Sequence, residues 1–236
     1  MESSDDTGAT DFGPHRLSPV RSRYLAAART AIELLAAPEL EDRWDEASVL
    51  AEFGVADLAG HLALAGVLLV ERLLDEPDPR SPHPVTAGEY YADFEGSEDV
   101  DSELNVAVRE RSHAVAVHGR EHVLALTSDT LERLTDRLAT EPADRQVSSR
   151  GLALRLDDFL RTRSVEIAVH VEDLELSVGL GPGLTAADPV PDMPDDVVAD
   201  AVDVLVATAV TRHGAQAVLT ALTRRERDHV GALRVF

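Results

Sequence analysis

The sequence predicts an all-α protein built as an antiparallel four-helix bundle with a short hairpin and extra C-terminal helices. Three observations carry this. Apolar residues recur at helical spacing over several long stretches. The one segment that alternates, QVSSRGLALRL at 146–156, is short. The chain has 236 residues, 44% of them hydrophobic, which suits one sizeable core.

The elements follow in order. Residues 1–17 are Ser-, Asp-, Thr- and Gly-rich and predict a disordered tail; 18–236 then form a single domain. A helix is expected over 19–37, stopped by Pro38, and a strongly apolar one over 55–75, bracketed by Gly54 and Pro77. The proline-rich stretch EPDPRSPHPVTA (76–87) is a loop. A long helical region spans 103–139, with Gly119 or Thr127–Asp129 as the place for a break. Gly151 turns the hairpin at 146–156. Another helix covers 157–179, a loop covers 179–196, and two helices at 195–212 and 214–228 flank Gly214.

Composition excludes several functions. Net charge is −22, and all 22 basic residues are arginine. Such a chain is a poor partner for nucleic acid, whose backbone needs clustered positive charge, and for anionic lipid. With no cysteine there is no disulfide and no thiol of its own to act as a nucleophile or ligand. The N-terminus MESSDDTGATDFG lacks the apolar run of a secretory signal, and LALAGVLLV (62–70) is too short to span a bilayer. A cytoplasmic location is expected.

The helix RTRSVEIAVHVEDLELSVGL (161–180) poses a question. At roughly 100° per residue, Glu166, His170, Asp173 and Ser177 form one stripe. Ile167, Val171, Leu174 and Val178 flank it on one side, with Val165, Val169 and Leu176 on the other. Ionisable groups facing a core are costly unless paired or bound to a metal. Glu166 and His170 lie one turn apart and can share an ion. The best third ligand is His61, set in the most apolar helix among Leu58, Leu62, Ala65 and Leu68. Asp57, one turn before it, is placed to orient its imidazole, and Asp173 to orient His170 or to bond locally. Arg163 is expected to pair with Glu166 or with a substrate anion. Two His and one carboxylate with open positions suit Zn²⁺ or non-haem Fe²⁺. A salt-bridged polar stripe is the competing reading.

The other histidines read differently. His118 and His122 are also four apart, but Gly119, Arg120 and Glu121 mark a solvated face. His15 and His83 fall in loops, and His113, His213 and His229 at the surface or near helix ends.

FGVADLAGHL (53–62) resembles the first histidine motif of the mycothiol-dependent maleylpyruvate isomerase N-terminal family, a branch of the DinB-like superfamily. FLRTRSVEIAVHVEDLELSVG (159–179) resembles its second motif, Arg-x-x-Glu-x-x-x-His-x-x-Asp-Leu, at Arg163, Glu166, His170, Asp173 and Leu174. RHGAQAVLTALTRRER (212–227) is similar to the end of related proteins. The resemblance spans most of 19–228. It implies a DinB-like four-helix bundle with a divalent metal, usually zinc, on His61, Glu166 and His170. It also implies a low-molecular-weight thiol such as mycothiol as partner to an electrophilic substrate. The isomerase itself carries a further C-terminal α/β domain, which this chain is expected to lack, and maleylpyruvate isomerisation with it. The expected activity is a thiol-dependent transferase or isomerase. The alternatives are a non-catalytic, metal-stabilised binding protein and a metal-dependent hydrolase. A homodimer is a further expectation; the apolar VLVATAV and AVLTAL near the C-terminus fit pairing between copies and packing within the chain equally well.

Overall fold

The computed structural model describes residues 17–94, 101–180 and 192–223. Helices α1 (Pro19–Ala36), α2 (Pro38–Asp42) and α3 (Val55–Ala63) come first. A π-helical turn, Leu64–Leu68, joins α3 to α4 (Leu69–Asp75) without a break. Then come α5 (Ala87–Ala92), α6 (Glu103–Ala116) and α7 (Arg120–Thr140). Strands β1 (Gln146–Ser149) and β2 (Leu152–Arg155) precede α8 (Leu156–Val178), α9 (Asp195–His213) and α10 (Ala215–Thr223).

Local chemistry explains the boundaries. Ser18 caps α1, accepting from the Arg21 amide at 3.1 Å, and Pro19 sits at the first position, where its missing N–H costs nothing. Thr86 and Glu89 form a reciprocal capping box on α5. The predicted 103–139 helix breaks at Gly119, whose φ of 91° is open to glycine. The hairpin pairs Gln146 with Arg155 and Ser149 with Leu152, and its two turn residues, Arg150 and Gly151, both have positive φ.

Four long segments, α1, α3–α4, α7 and α8, enclose the core. Arg21 beside Leu138, and Arg120 beside Leu35, show α1 and α7 running antiparallel. Arg163 against Ala65, with Glu166 against His61, shows the same for α8 and the second segment. Glu71–Arg133 and Asp75–Arg137 ion pairs make α4 and α7 parallel neighbours. That arrangement needs a long crossover, which the loop after α4 together with α5 and α6 provides. The core holds Tyr24, Leu34, Leu58, Leu62, Leu134, Leu138, Phe159 and Ile167, all essentially buried. Leu17, assigned to the tail from sequence, instead rests on this core. The expected helix end at 228 and the histidines His15 and His229 lie outside the described residues. Among the described residues no helix is long and apolar enough to cross a membrane.

Candidate metal centre

Two elements build the site. Helix α8 turns Ile167, Val171, Leu174 and Val178 into the core, and this fixes the stripe of Glu166 and His170 beside them at the core's edge. Leu176 departs from the expected flank and is 47% exposed. Helix α3 buries Leu58 and Leu62, which leaves His61 facing α8. The side chains of His61, Glu166 and His170 are 14, 17 and 18% exposed.

His61 Nε2 and His170 Nε2 each lie 3.6 Å from Glu166 Oε2, and the two rings meet edge to face with centroids 4.7 Å apart. One ligand atom from each residue lies within 4.8 Å of the others, which makes this, among the described residues, a group that can hold a metal ion. The spacing suits that use. At 3.6 Å the contacts are long for hydrogen bonds, yet close to the ~3.3 Å ligand–ligand edge of a tetrahedral site with bonds of about 2.0–2.1 Å.

Each imidazole is held from behind. Asp173 Oδ2 lies 3.1 Å from His170 Nδ1, which leaves Nε2 facing inward. Asp57 does not play that part for His61. Its carboxylate lies 2.9 Å from His113 Nδ1 on α6, and the partner of His61 Nδ1 is Ser112 Oγ at 3.3 Å. Side chains on a helix lean toward its N-terminus, so Asp57 reaches away from His61 and across to α6. Helix α6 comes close because residue 60 is glycine: a Cβ there would sit 2.4 Å from the Ser112 carbonyl oxygen.

Glu166 has two further neighbours. The Tyr91 hydroxyl lies 2.9 Å from its Oε1 and 2.7 Å from the Thr162 carbonyl, so one proton bridges two acceptors. Buried Arg163 sets Nη2 3.9 Å from Oε1. Its Nη1 donates to the Ala65 carbonyl at 3.1 Å, and Tyr24 donates to the Gly66 carbonyl at 3.1 Å. Both carbonyls belong to the π turn, where the ordinary helical pairing is displaced. The same arginine therefore completes the π turn and faces the glutamate.

The charges follow from this packing. Burial opposes the ionised Glu166, but the His170 and His61 imidazoles and Arg163 outweigh it and hold the carboxyl well below its ordinary value. For His170, burial also opposes charge, but Asp173 and Glu166 raise its pKa to about 9. His61 is lowered, chiefly by burial. Burial pushes the Tyr91 phenol well up, keeping it a proton donor.

Two cavities of about 410 Å³ each share His61 and Glu166 in their walls. One is mainly apolar, with Leu50, Phe53, Leu58, Val165 and Val169. The other runs toward the hairpin past Arg72, Arg111 and Arg150. His118, His122, His83 and His213 are exposed, as is His113, away from the triad.

The profile described as Mycothiol maleylpyruvate isomerase N-terminal domain matches residues 24–175, a span that contains His61, Glu166 and His170. The chain belongs to this family. Searches among curated proteins and among solved structures return no match. Within the mycothiol maleylpyruvate isomerase N-terminal family, the first segment (53–62) and the motif positions Arg163 to Leu174 of the second fall inside the matched span; the third, 212–227, falls outside it. Sequence reasoning missed Ser112, Tyr91 and the π turn. Tyr90–Tyr91 was the available signal, a pair of large aromatics following a Thr-x-x-Glu cap.

Proposed function

We propose that His61, Glu166 and His170 hold a divalent metal, with zinc the best fit to the donor set, and that the protein is a thiol-dependent transferase or isomerase. The single observation behind this is the convergence of two imidazole nitrogens on one carboxylate oxygen, at 3.6 Å each, beside two cavities. When bound, such a metal supplies Lewis acidity that lowers the pKa of a thiol, making a nucleophile near neutral pH. Three protein ligands leave room for an exogenous group. The thiol must come from outside, since the chain has no cysteine. The family's printed description points to mycothiol as that thiol.

The chain's own residues do the rest. Asp173 and Ser112 orient the imidazoles, and Tyr91 and Arg163 hold Glu166 Oε1 so that Oε2 faces both rings. The apolar cavity keeps water from one side of the centre and takes the apolar part of an electrophile.

The test is elemental analysis of untagged protein, followed by turnover of electrophiles with and without mycothiol. Near-stoichiometric zinc and a strict thiol requirement are expected. Turnover without thiol favours a hydrolase. Stoichiometric metal with no turnover of any electrophile leaves a metal-stabilised binding protein. Absence of metal after reconstitution refutes the assignment.

A further inference from the structure

We infer that the hairpin-side cavity is an anion site: it grips the carboxylate of a small amphipathic acid whose apolar chain lies in the neighbouring cavity. The inference rests on the proposed function only for where the reacting atom sits; the grip on the anion does not require the metal.

Charge is the first argument. Acidic residues outnumber arginines 44 to 22 along the chain. Yet this cavity is lined by Arg72, Arg111, Arg150 and the buried Arg163, with Glu166 the one carboxylate in its wall among the described residues. The described side chains of this wall thus carry a net positive charge against the net negative charge of the chain, an arrangement that favours an anionic ligand.

The second argument is that, among the described residues, no carboxylate pairs with three of these arginines. Arg21, Arg133, Arg137 and Arg161 all have carboxylate partners at 3.2 Å or closer. Among the described residues Arg72, Arg111 and Arg150 have none. Arg111 Nε donates to the Ala107 carbonyl of its own helix, which leaves its terminal nitrogens available.

The third is backbone conformation. Arg150 and Gly151 form the hairpin turn with φ of 54° and 81°. Two-residue turns with positive φ at both positions select Asn-Gly or Asp-Gly, because a long side chain gains nothing there and its Cβ is crowded. An arginine held in this region marks a residue kept for something other than the turn. Its guanidinium carbon stands 3.6 Å above the centroid of Phe94, a residue that lines both cavities. Stacking fixes the plane of the fork and leaves its N–H edge free to meet a carboxylate with two parallel bonds.

Titration calorimetry with hexanoate on the full chain, chelator-treated and at low salt, tests this. Hexanamide, the same shape without charge, is the control. Hexanoate should bind about tenfold more tightly than hexanamide, and added salt should erode the difference. Arg150→Asn should remove most of that preference while raising Tm by about 1–3 °C, because asparagine accepts the turn geometry. Arg72→Ala with Arg111→Ala should remove the remainder, and hexanamide binding should not change. A misfolded variant would lose both ligands and stability together, which the Tm of Arg150→Asn rules out. Equal binding of hexanoate and hexanamide, no binding of hexanoate, or an unchanged preference in the arginine variants overturns the proposal. His170→Ala separates it from the metal assignment: arginine-dependent hexanoate binding should survive there. If the wild-type chain holds no metal yet shows that binding, the anion site stands and the metal reading falls.

Discussion

Two pairs of residues in this protein have the same spacing and opposite fates. His118 and His122 lie four apart with ring centroids 5.0 Å from each other, and both are exposed. Glu166 and His170 also lie four apart, but α3 lays His61 across them, and all three are mostly buried. Spacing on one helix brings two donors together; a second helix packed at the right height makes them a site. What differs is the flanking pattern. Between the exposed pair Glu121 faces water and Arg120, expected to do so, folds back instead onto the Leu35 carbonyl and Glu41, whereas Val165, Ile167 and Val171 anchor the buried one.

The largest expected effect breaks the comparison outright. His61→Ala, Glu166→Ala and His170→Ala should each abolish near-stoichiometric metal in elemental analysis, whereas His118→Ala with His122→Ala should leave it unchanged. Retention of metal in His61→Ala would detach α3 from the site.

Next is the contact that sets the height of α3. Gly60→Ala should cost about 1–3 kcal/mol of stability in denaturant titration, because the new methyl collides with the backbone of α6. It should also weaken metal binding, since His61 is the next residue. A neutral outcome would mean that the two helices slide apart freely.

Proton competition sharpens the comparison further. His170 has its pKa raised from 6.5 to about 9, so a metal must displace its proton at neutral pH. Metal affinity should rise about tenfold per pH unit up to that value and then flatten. In the metal-free protein the sign is opposite. A folded-state pKa above the unfolded one stabilises fully below 6.5 and is lost as pH rises through about 9. Thermal melts in chelator over this window should fall for the wild type and flatten for His170→Ala.

The smallest effect is Tyr91→Phe. It removes the proton that bridges Glu166 Oε1 and the Thr162 carbonyl. Stability should drop by about 1 kcal/mol, and metal affinity by roughly tenfold, as for other groups that orient ligands. Equilibrium competition with a chromogenic chelator measures the second quantity.

The sequence was informative where the cause is local. The stripe of Glu166, His170 and Asp173 follows from helical periodicity, and the break at Gly119 and the hairpin at 146–156 follow from turn chemistry. The bundle itself was legible from the long apolar stretches, and the lineage from two motifs. The sequence failed where contacts are distant along the chain. Ser112 is 51 residues from His61, and Tyr91 is 75 from Glu166. Asp57 was paired with the wrong histidine because helical spacing names neighbours on one helix and is silent about α6. The π turn left no trace in the apolar run LALAGVLLV, because every residue there is compatible with an ordinary helix.

That π turn also bears on how the lineage can vary. It fits one residue more into the helix than plain α geometry would at that length, and the carbonyls of Ala65 and Gly66 are taken by Arg163 and Tyr24. Deleting a residue from 64–68 would restore regular pairing and take away the acceptor of the buried Arg163 Nη1. Indel and substitution are thus coupled across 98 positions of chain. Relatives whose second helix is one residue shorter should have replaced both the arginine and the tyrosine.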